Sequence, residues 1–200
     1  MNSPNIVEHE VVVRAQNGDA DAAREIIEKM HQPMLGFIYR MLGAGYRDRM
    51  EDIAQDVFLR AWTACPSFTP RAKVLTWLLQ IATNACLNHQ RGMRLRRMFS
   101  LGDRDAAGST TAGEPEGRDV QAEAVRDAIA RLPDAQRAVI LLRHYHDLSY
   151  TDIAAVLEVS VSSVESLLFR SRRTLRAILE EKPADSSTPQ VSPELGSSPS

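Results

Sequence analysis

The chain has 200 residues, enough for one or two compact domains, and its 44% hydrophobic content is ordinary for a protein with a buried core. Lys and Arg number 24 against 26 Asp and Glu, a formal charge of -2 that argues against a strong free-standing binder of nucleic acid. No stretch nears the roughly 18 consecutive apolar residues of a membrane span. The opening MNSPNIVEHE lacks the basic flank and apolar run of a secretory signal, so a cytoplasmic protein with no membrane insertion is expected.

Apolar positions recur with helical period over 6–16, 19–31, 33–42, 52–63 and 74–91, with little strand-like alternation. The punctuation is explicit. Asn17-Gly18-Asp19 reads as a stop and a cap, Pro33 as the start of a helix, Gly43-Ala44-Gly45 as an end, and Pro66 and Pro70 as brackets of a loop. The first half is thus predicted to be a five-helix bundle over 1–101. Over 102–118 the composition turns to Gly, Ser, Thr and acids with no apolar face to bury, which predicts a flexible linker. A second helical unit is predicted over 119–181, with Leu132-Pro133 placing proline where a helix starts. The Ser/Pro-rich stretch 182–200 is expected to be a disordered tail. The fold class is all-α: two small helical domains joined by a linker.

Within the second unit, 148–175 reads as two short helices joined by a tight turn. Ser149 stands three residues before Asp152, the spacing of a capping box, and Ser160 can cap the next helix. Ile153, Ala154 and Leu157 give the first helix one apolar face. Val164, Leu167, Leu168, Leu175 and Ile178 give the second another, so the two can close on each other. Left outward are Ser162, Ser163, Glu165, Ser166, Phe169, Arg170 and Arg173, a polar, cationic surface of the width a major groove admits. An ordinary helical hairpin with a solvated face has the same pattern, so the motif needs its context.

That context lies in the charge distribution. Arg91, Arg94, Arg96 and Arg97 form one cationic cluster and Arg170, Arg172, Arg173 and Arg176 another, with acids between them. Two helical units, each with its own arginine cluster, suit one elongated ligand touched at two places. Cys65 and Cys86 form no metal or disulfide pattern, and free, inert thiols are expected. His144, Tyr145 and His146 lack the spacing of a zinc site or a catalytic triad, so a structural placement is expected. No cofactor, no metal and no catalysis are predicted.

The segment 52–62, DIAQDVFLRAW, resembles the polymerase-binding helix of bacterial RNA polymerase sigma factors of the extracytoplasmic-function type, a group 4 branch of the sigma-70 family. TWLLQIATNACLN at 76–88 is similar to that family's promoter-melting helix, and 132–175 to its region four. The resemblance implies that 1–101 is region two, which binds core polymerase and opens the minus-ten element. It implies that 119–181 is region four, which recognises the minus-thirty-five element. The chain is then an alternative sigma factor, a specificity subunit controlled by an anti-sigma protein, with core RNA polymerase and promoter DNA as partners.

On the 52–63 helix, Ile53, Val57 and Ala61 share one stripe, which leaves Gln55, Asp56, Leu59 and Arg60 displayed, with Asp52 at the start. The resemblance implies contact with the polymerase clamp through Gln55 and Asp56. On the helix from Val74, Trp77, Leu78, Ile81 and Ala85 can pack inward while Gln80, Thr83, Asn84, Asn88 and Arg91 face out. The resemblance also implies that a flipped base is held by this helix and the loop 66–73, which contains Phe68 and Lys73. Asn84 and Asn88 stand where the family uses asparagine. Val74 and Leu79 stand where aromatics are frequent, so either another group supplies the stacking, Phe68 being one candidate, or melting is helped elsewhere.

In region four the family commonly has a basic residue at the positions of Glu165 and Leu167, and glycine at that of Glu158. Three readings of Glu165 are open: acceptor from a cytosine N4 amine, partner of Arg172, or repulsion of the DNA backbone. A free-standing helix-turn-helix regulator is the competing reading of the whole chain. It requires a dimer interface and a ligand domain in the first half, which the 52–62 helix does not suggest.

Overall fold

The computed structural model describes residues 7–68, 73–99 and 120–181, and every regular element among them is helical. In the first half α1 is His9–Gln16, α2 Ala20–Leu42, α3 Met50–Ala64 and α4 Val74–Phe99, with 3-10 turns at Ala44–Arg49 and Cys65–Ser67. The second half has α5 Val120–Ala130, α6 Asp134–His144, α7 Tyr150–Leu157 and α8 Val161–Glu180. The predicted linker and tail lie outside the described residues.

The caps fall where the sequence puts them. Gly18 takes the left-handed conformation (φ 88°) that stops α1, and Asp19 then accepts from the backbone N–H of Asp21 and Ala22 at 2.9 and 3.1 Å. The Ala22 N–H first, and the Arg14 guanidinium second, hold the Asp19 carboxyl below its ordinary pKa. Gly43 (φ 88°) ends α2.

Pro33 departs from expectation: it lies inside α2, which runs unbroken from Ala20 to Leu42, so the first half has four α-helices rather than five. An interior proline loses a hydrogen bond and crowds the preceding turn, at about 3 kcal/mol. Met30, Met34, Phe37, Ile38 and Met41 form one fully buried stripe running past it. Burying such side chains is worth about 1.5–3 kcal/mol each, and that outweighs the defect. Likewise α4 continues beyond Arg91 to Phe99.

Helix α2 is the centre of the first half, packed against α1, α3 and α4. Gln16 fastens α1 to the loop after α3 by donating to the carbonyls of Cys65 and Phe68 at 3.1 and 2.6 Å. In the second half α8 packs on α5, α6 and α7. The buried Ser171 hydroxyl lies within hydrogen-bonding distance of the carbonyls of Leu167 (2.6 Å) and Gln136 (3.2 Å), which joins α8 to α6.

The two halves are also docked, with α5 and α6 against α2 and α7 against α4, and their buried side chains form one continuous cluster. The sequence reading had not foreseen this. Arg137 of α6 is its centre, a buried guanidinium donating to the carbonyls of Met41 (2.5 Å), Leu132 (3.0 Å), Ile129 (3.2 Å) and Ala130. Gln90 of α4 donates to the same Met41 carbonyl at 3.1 Å. Around this point Arg40 lies 4.6 Å above the Tyr145 ring, the His146 ring meets the edge of Phe37 at 5.5 Å, and Arg94 pairs with Asp134. Burial, then nearby Arg40, pull the His146 pKa down to about 4, so the imidazole is neutral at pH 7. Cys65 and Cys86 are buried, the Cys86 thiol pushed up to about 12 by burial, which makes it a poor thiolate.

Replacing Arg137 by Met should leave buried carbonyls unpaired and lower the unfolding free energy by about 2–4 kcal/mol. Denaturant titration followed by circular dichroism measures this, and a loss below 1 kcal/mol contradicts the role given to Arg137.

Candidate nucleic-acid interface

Three exposed polar faces stand on this scaffold. On α3, Ala54, Val57 and Ala61 are buried and Ile53 half-buried, which turns Asp52, Gln55, Leu59 and Arg60 outward. Asp56 is half-exposed and paired with Arg60 at 2.8 Å. Leu59 is 66% exposed, and so, at 45%, is Trp62 three residues on, which the sequence reading left out. Gln55, Leu59 and Trp62 follow each other at i+4 and i+3, so they line one face. The same spacing count, carried one step past Leu59, identifies Trp62 from sequence. The result is a mixed apolar and polar patch, of the composition protein interfaces favour.

On α4, Asn84, Asn88 and Arg91 form an exposed ridge in which Arg91 donates to the Asn88 side-chain oxygen at 3.0 Å. Lys73 is exposed just before the helix. Gln80 belongs to the same ridge but is half-buried, its amide 3.4 Å from the Glu158 carboxylate of α7. Amides on such a ridge can donate to and accept from base edges.

Two members predicted for this face are not on it. Thr83 is fully buried, its hydroxyl donating to the Leu79 carbonyl at 2.6 Å. Because α4 packs against α2 and α3 and also against α7, its buried arc is wider than that of a one-sided helix and takes in Thr83 with Leu79, Ala82 and Cys86. Phe68 is also buried, its ring stacked 4.5 Å from that of Trp77. Apolar area withdrawn from water against α4 is favourable, so this ring is not presented to a base as the sequence reading expected.

The third face is on α8. The capping box of α7 is complete, with the Ser149 hydroxyl accepting from the Asp152 N–H at 3.1 Å and the Asp152 carboxylate from the Ser149 N–H at 3.3 Å. Ser160 caps α8 by accepting from the Ser163 N–H at 3.2 Å. Ile153, Ala154, Val164 and Leu168 are buried between the two helices, and Leu167, Leu175 and Ile178 are half-buried. Ser162, Glu165, Ser166, Phe169, Arg170 and Arg173 are exposed together, and Ser163 is half-buried with its hydroxyl 2.8 Å from that of Ser160. From Ser162 to Arg173 the helix rises about 17 Å, the length of about five base pairs. Among the described residues no group of His, Cys, Asp or Glu is placed to hold a metal. His144 is exposed, while Tyr145 and His146 pack against α2.

Known proteins carry the same two units in the same order. The family description "Sigma-70 region 2" matches residues 26–96, and "Sigma-70, region 4" matches residues 122–175. The ECF RNA polymerase sigma factor SigW of Bacillus subtilis is 30% identical over 180 residues, covering 85% of this chain and 95% of that protein. The chain belongs to the extracytoplasmic-function sigma factors. Two solved structures share the fold. CnrH, solved with the cytosolic domain of CnrY, aligns with a TM-score of 0.63 at 24% identity over 89% of this chain and 98% of that one. The sigma factor RpoE of Bartonella quintana, solved with the anti-sigma factor NepR, aligns at 0.62 and 22% over 80% and 98%. The region 2 match covers the helix that decided between the two sequence readings, so this sigma factor is an RNA polymerase specificity subunit and not a free-standing regulator.

The turn between α7 and α8 has a measurable cost. Glu158, at the end of α7, holds a left-handed conformation (φ 55°, ψ 44°), where a side chain is strained by about 1–2 kcal/mol and glycine is not. Glu158→Gly should raise stability by about 1 kcal/mol while removing the contact with Gln80. A lowered thermal midpoint in a melting experiment contradicts this.

Proposed function

We propose that the exposed α3 face, Asp52, Gln55, Asp56, Leu59, Arg60 and the added Trp62, docks on core RNA polymerase. The α4 ridge of Asn84, Asn88 and Arg91, with Lys73 and Gln80, then holds the opened minus-ten strand. The outward face of α8 reads the minus-thirty-five element, with Arg170 and Arg173 on phosphates and the serines at or beside base edges. Residues 1–101 and 119–181 are the two functional domains on this reading. The observation that carries it is the Asn84, Asn88 and Arg91 ridge, left exposed on a helix that packs against α2, α3 and α7, inside the region 2 match.

The sigma factor makes and breaks no covalent bond; RNA synthesis belongs to its polymerase partner. No helix among the described residues is long and apolar enough to cross a membrane, which accords with action in the cytoplasm, where the polymerase is. CnrH and RpoE were each solved with a bound protein, an anti-sigma factor by name in the second case, and an anti-sigma protein is the controlling partner proposed for this chain.

Run-off transcription with purified core polymerase on fragments of the source genome tests the reading. Asn84→Ala should reduce strand opening about tenfold or more, as removal of a base-holding hydrogen bond does, while leaving promoter docking nearly intact. Permanganate footprinting against filter binding separates the two, and equal losses in both assays contradict the assignment. The double variant Gln55→Ala, Asp56→Ala should weaken core-polymerase association about fivefold or more in surface plasmon resonance; unchanged affinity removes α3 from the interface.

A further inference from the structure

Glu165 is exposed on α8 in line with Ser162 and Phe169. Its neighbours one turn away, Val161, Ser162, Leu168 and Phe169, carry no positive charge, and Arg172 is two turns along. The nearby Arg170 turns its Nε to the Ser166 carbonyl at 3.3 Å. Glu165 itself enters no ion pair among the described residues, which closes the reading in which it partners Arg172.

An unneutralised carboxylate against DNA is repelled by phosphates unless a base edge gives it a donor. In the major groove those donors are the N4 amine of cytosine and the N6 amine of adenine. Adenine sets the acceptor N7 beside its amine, so the second carboxylate oxygen meets a lone pair there. Cytosine sets C5–H beside its own. Four residues further along, Phe169 is 69% exposed, a large apolar ring on a DNA-facing helix. The rise between the two residues is about 6 Å, or one to two base pairs.

We propose that Glu165 is a specificity-determining residue that selects cytosine in the upstream element by accepting from its N4 amine. Phe169 lies against the thymine methyl one to two base pairs away. This rests on α8 being the upstream reader, as proposed above, and deepens that reading by naming the bases it prefers.

The experiment uses holoenzyme reconstituted from the full chain and core polymerase. It selects from a duplex library randomised across the upstream element of a promoter mapped by run-off transcription. Cytosine should be enriched at one position and thymine one to two pairs away, with replacement of that cytosine lowering occupancy about tenfold or more. Glu165→Gln should shift the preference at that position towards adenine, Glu165→Arg towards guanine, and Phe169→Ala should erase the thymine preference alone. The same base ranking for the wild type and both Glu165 variants, or enrichment of adenine by the wild type, overturns the assignment and leaves the sigma reading standing. A wild-type holoenzyme that starts no transcript overturns the sigma reading itself.

Discussion

The guanidinium of Arg137 sits where helices end. The last carbonyls of a helix have no partner within it and carry the negative end of its dipole. Met41 closes α2, Ile129 and Ala130 close α5, and Leu132 lies in the turn that follows. Burying a cation costs several kcal/mol, and burial lowers the Arg137 pKa, with Asp134 acting the other way. Four carbonyl acceptors offset that cost because the planar fork of arginine has five donors in fixed directions; a lysine ammonium on a flexible stem cannot span them. Once α6 is fixed, the Ser171 contact with Gln136 fixes α8 on it. Gln90 brings α4 to the same Met41 carbonyl. The exposed ridges of α4 and α8 are thus tied to one point in the docked arrangement.

What was legible in the sequence was what chain neighbours decide. Asp19, Ser149 with Asp152, and Ser160 each cap a helix through atoms two to three residues away, so spacing alone identified them. The exposed ridges were legible too, because a 3.6-residue period fixes which positions share a face. Misreadings arose where the partner is distant in sequence. Thr83 looks outward until the helices packed on α4 are in place, and Phe68 looks free until its ring meets that of Trp77. Pro33 carries a strong local signal to stop, overridden by a buried stripe whose value depends on α3 and α4. Arg137 was the largest omission. A lone arginine in an apolar helix shows its acceptors only when α2 and α5 are both in place.

Charge follows the same division between local and global. The net value of -2 describes the whole chain, yet charges separated by more than about 8 Å are largely screened at physiological salt. What a phosphate meets at α8 is set by Arg170, Arg173 and the exposed Arg176, not by acids elsewhere in the chain. A weakly acidic protein can therefore present two cationic faces while binding free duplex poorly, which suits a subunit whose partner supplies much of the grip.

On the proposed function the docked arrangement has to part, because elements ~25 base pairs apart are separated by about 85 Å of duplex. The distribution of contacts makes that separation feasible. Gln80 and Glu158 meet at 3.4 Å on the surface, and Tyr145 under Arg40 is exposed, both contacts that water replaces at little cost. Of the four carbonyls that Arg137 engages, Ile129, Ala130 and Leu132 belong to its own half and only Met41 to the other. Parting therefore exchanges one of its hydrogen bonds for water and leaves the α5–α6 turn intact. The apolar cluster shared by the two halves is the larger loss, of the kind that a partner's own side chains can restore. Release of Gln80 from Glu158 in the same step completes the α4 ridge at the moment it meets DNA.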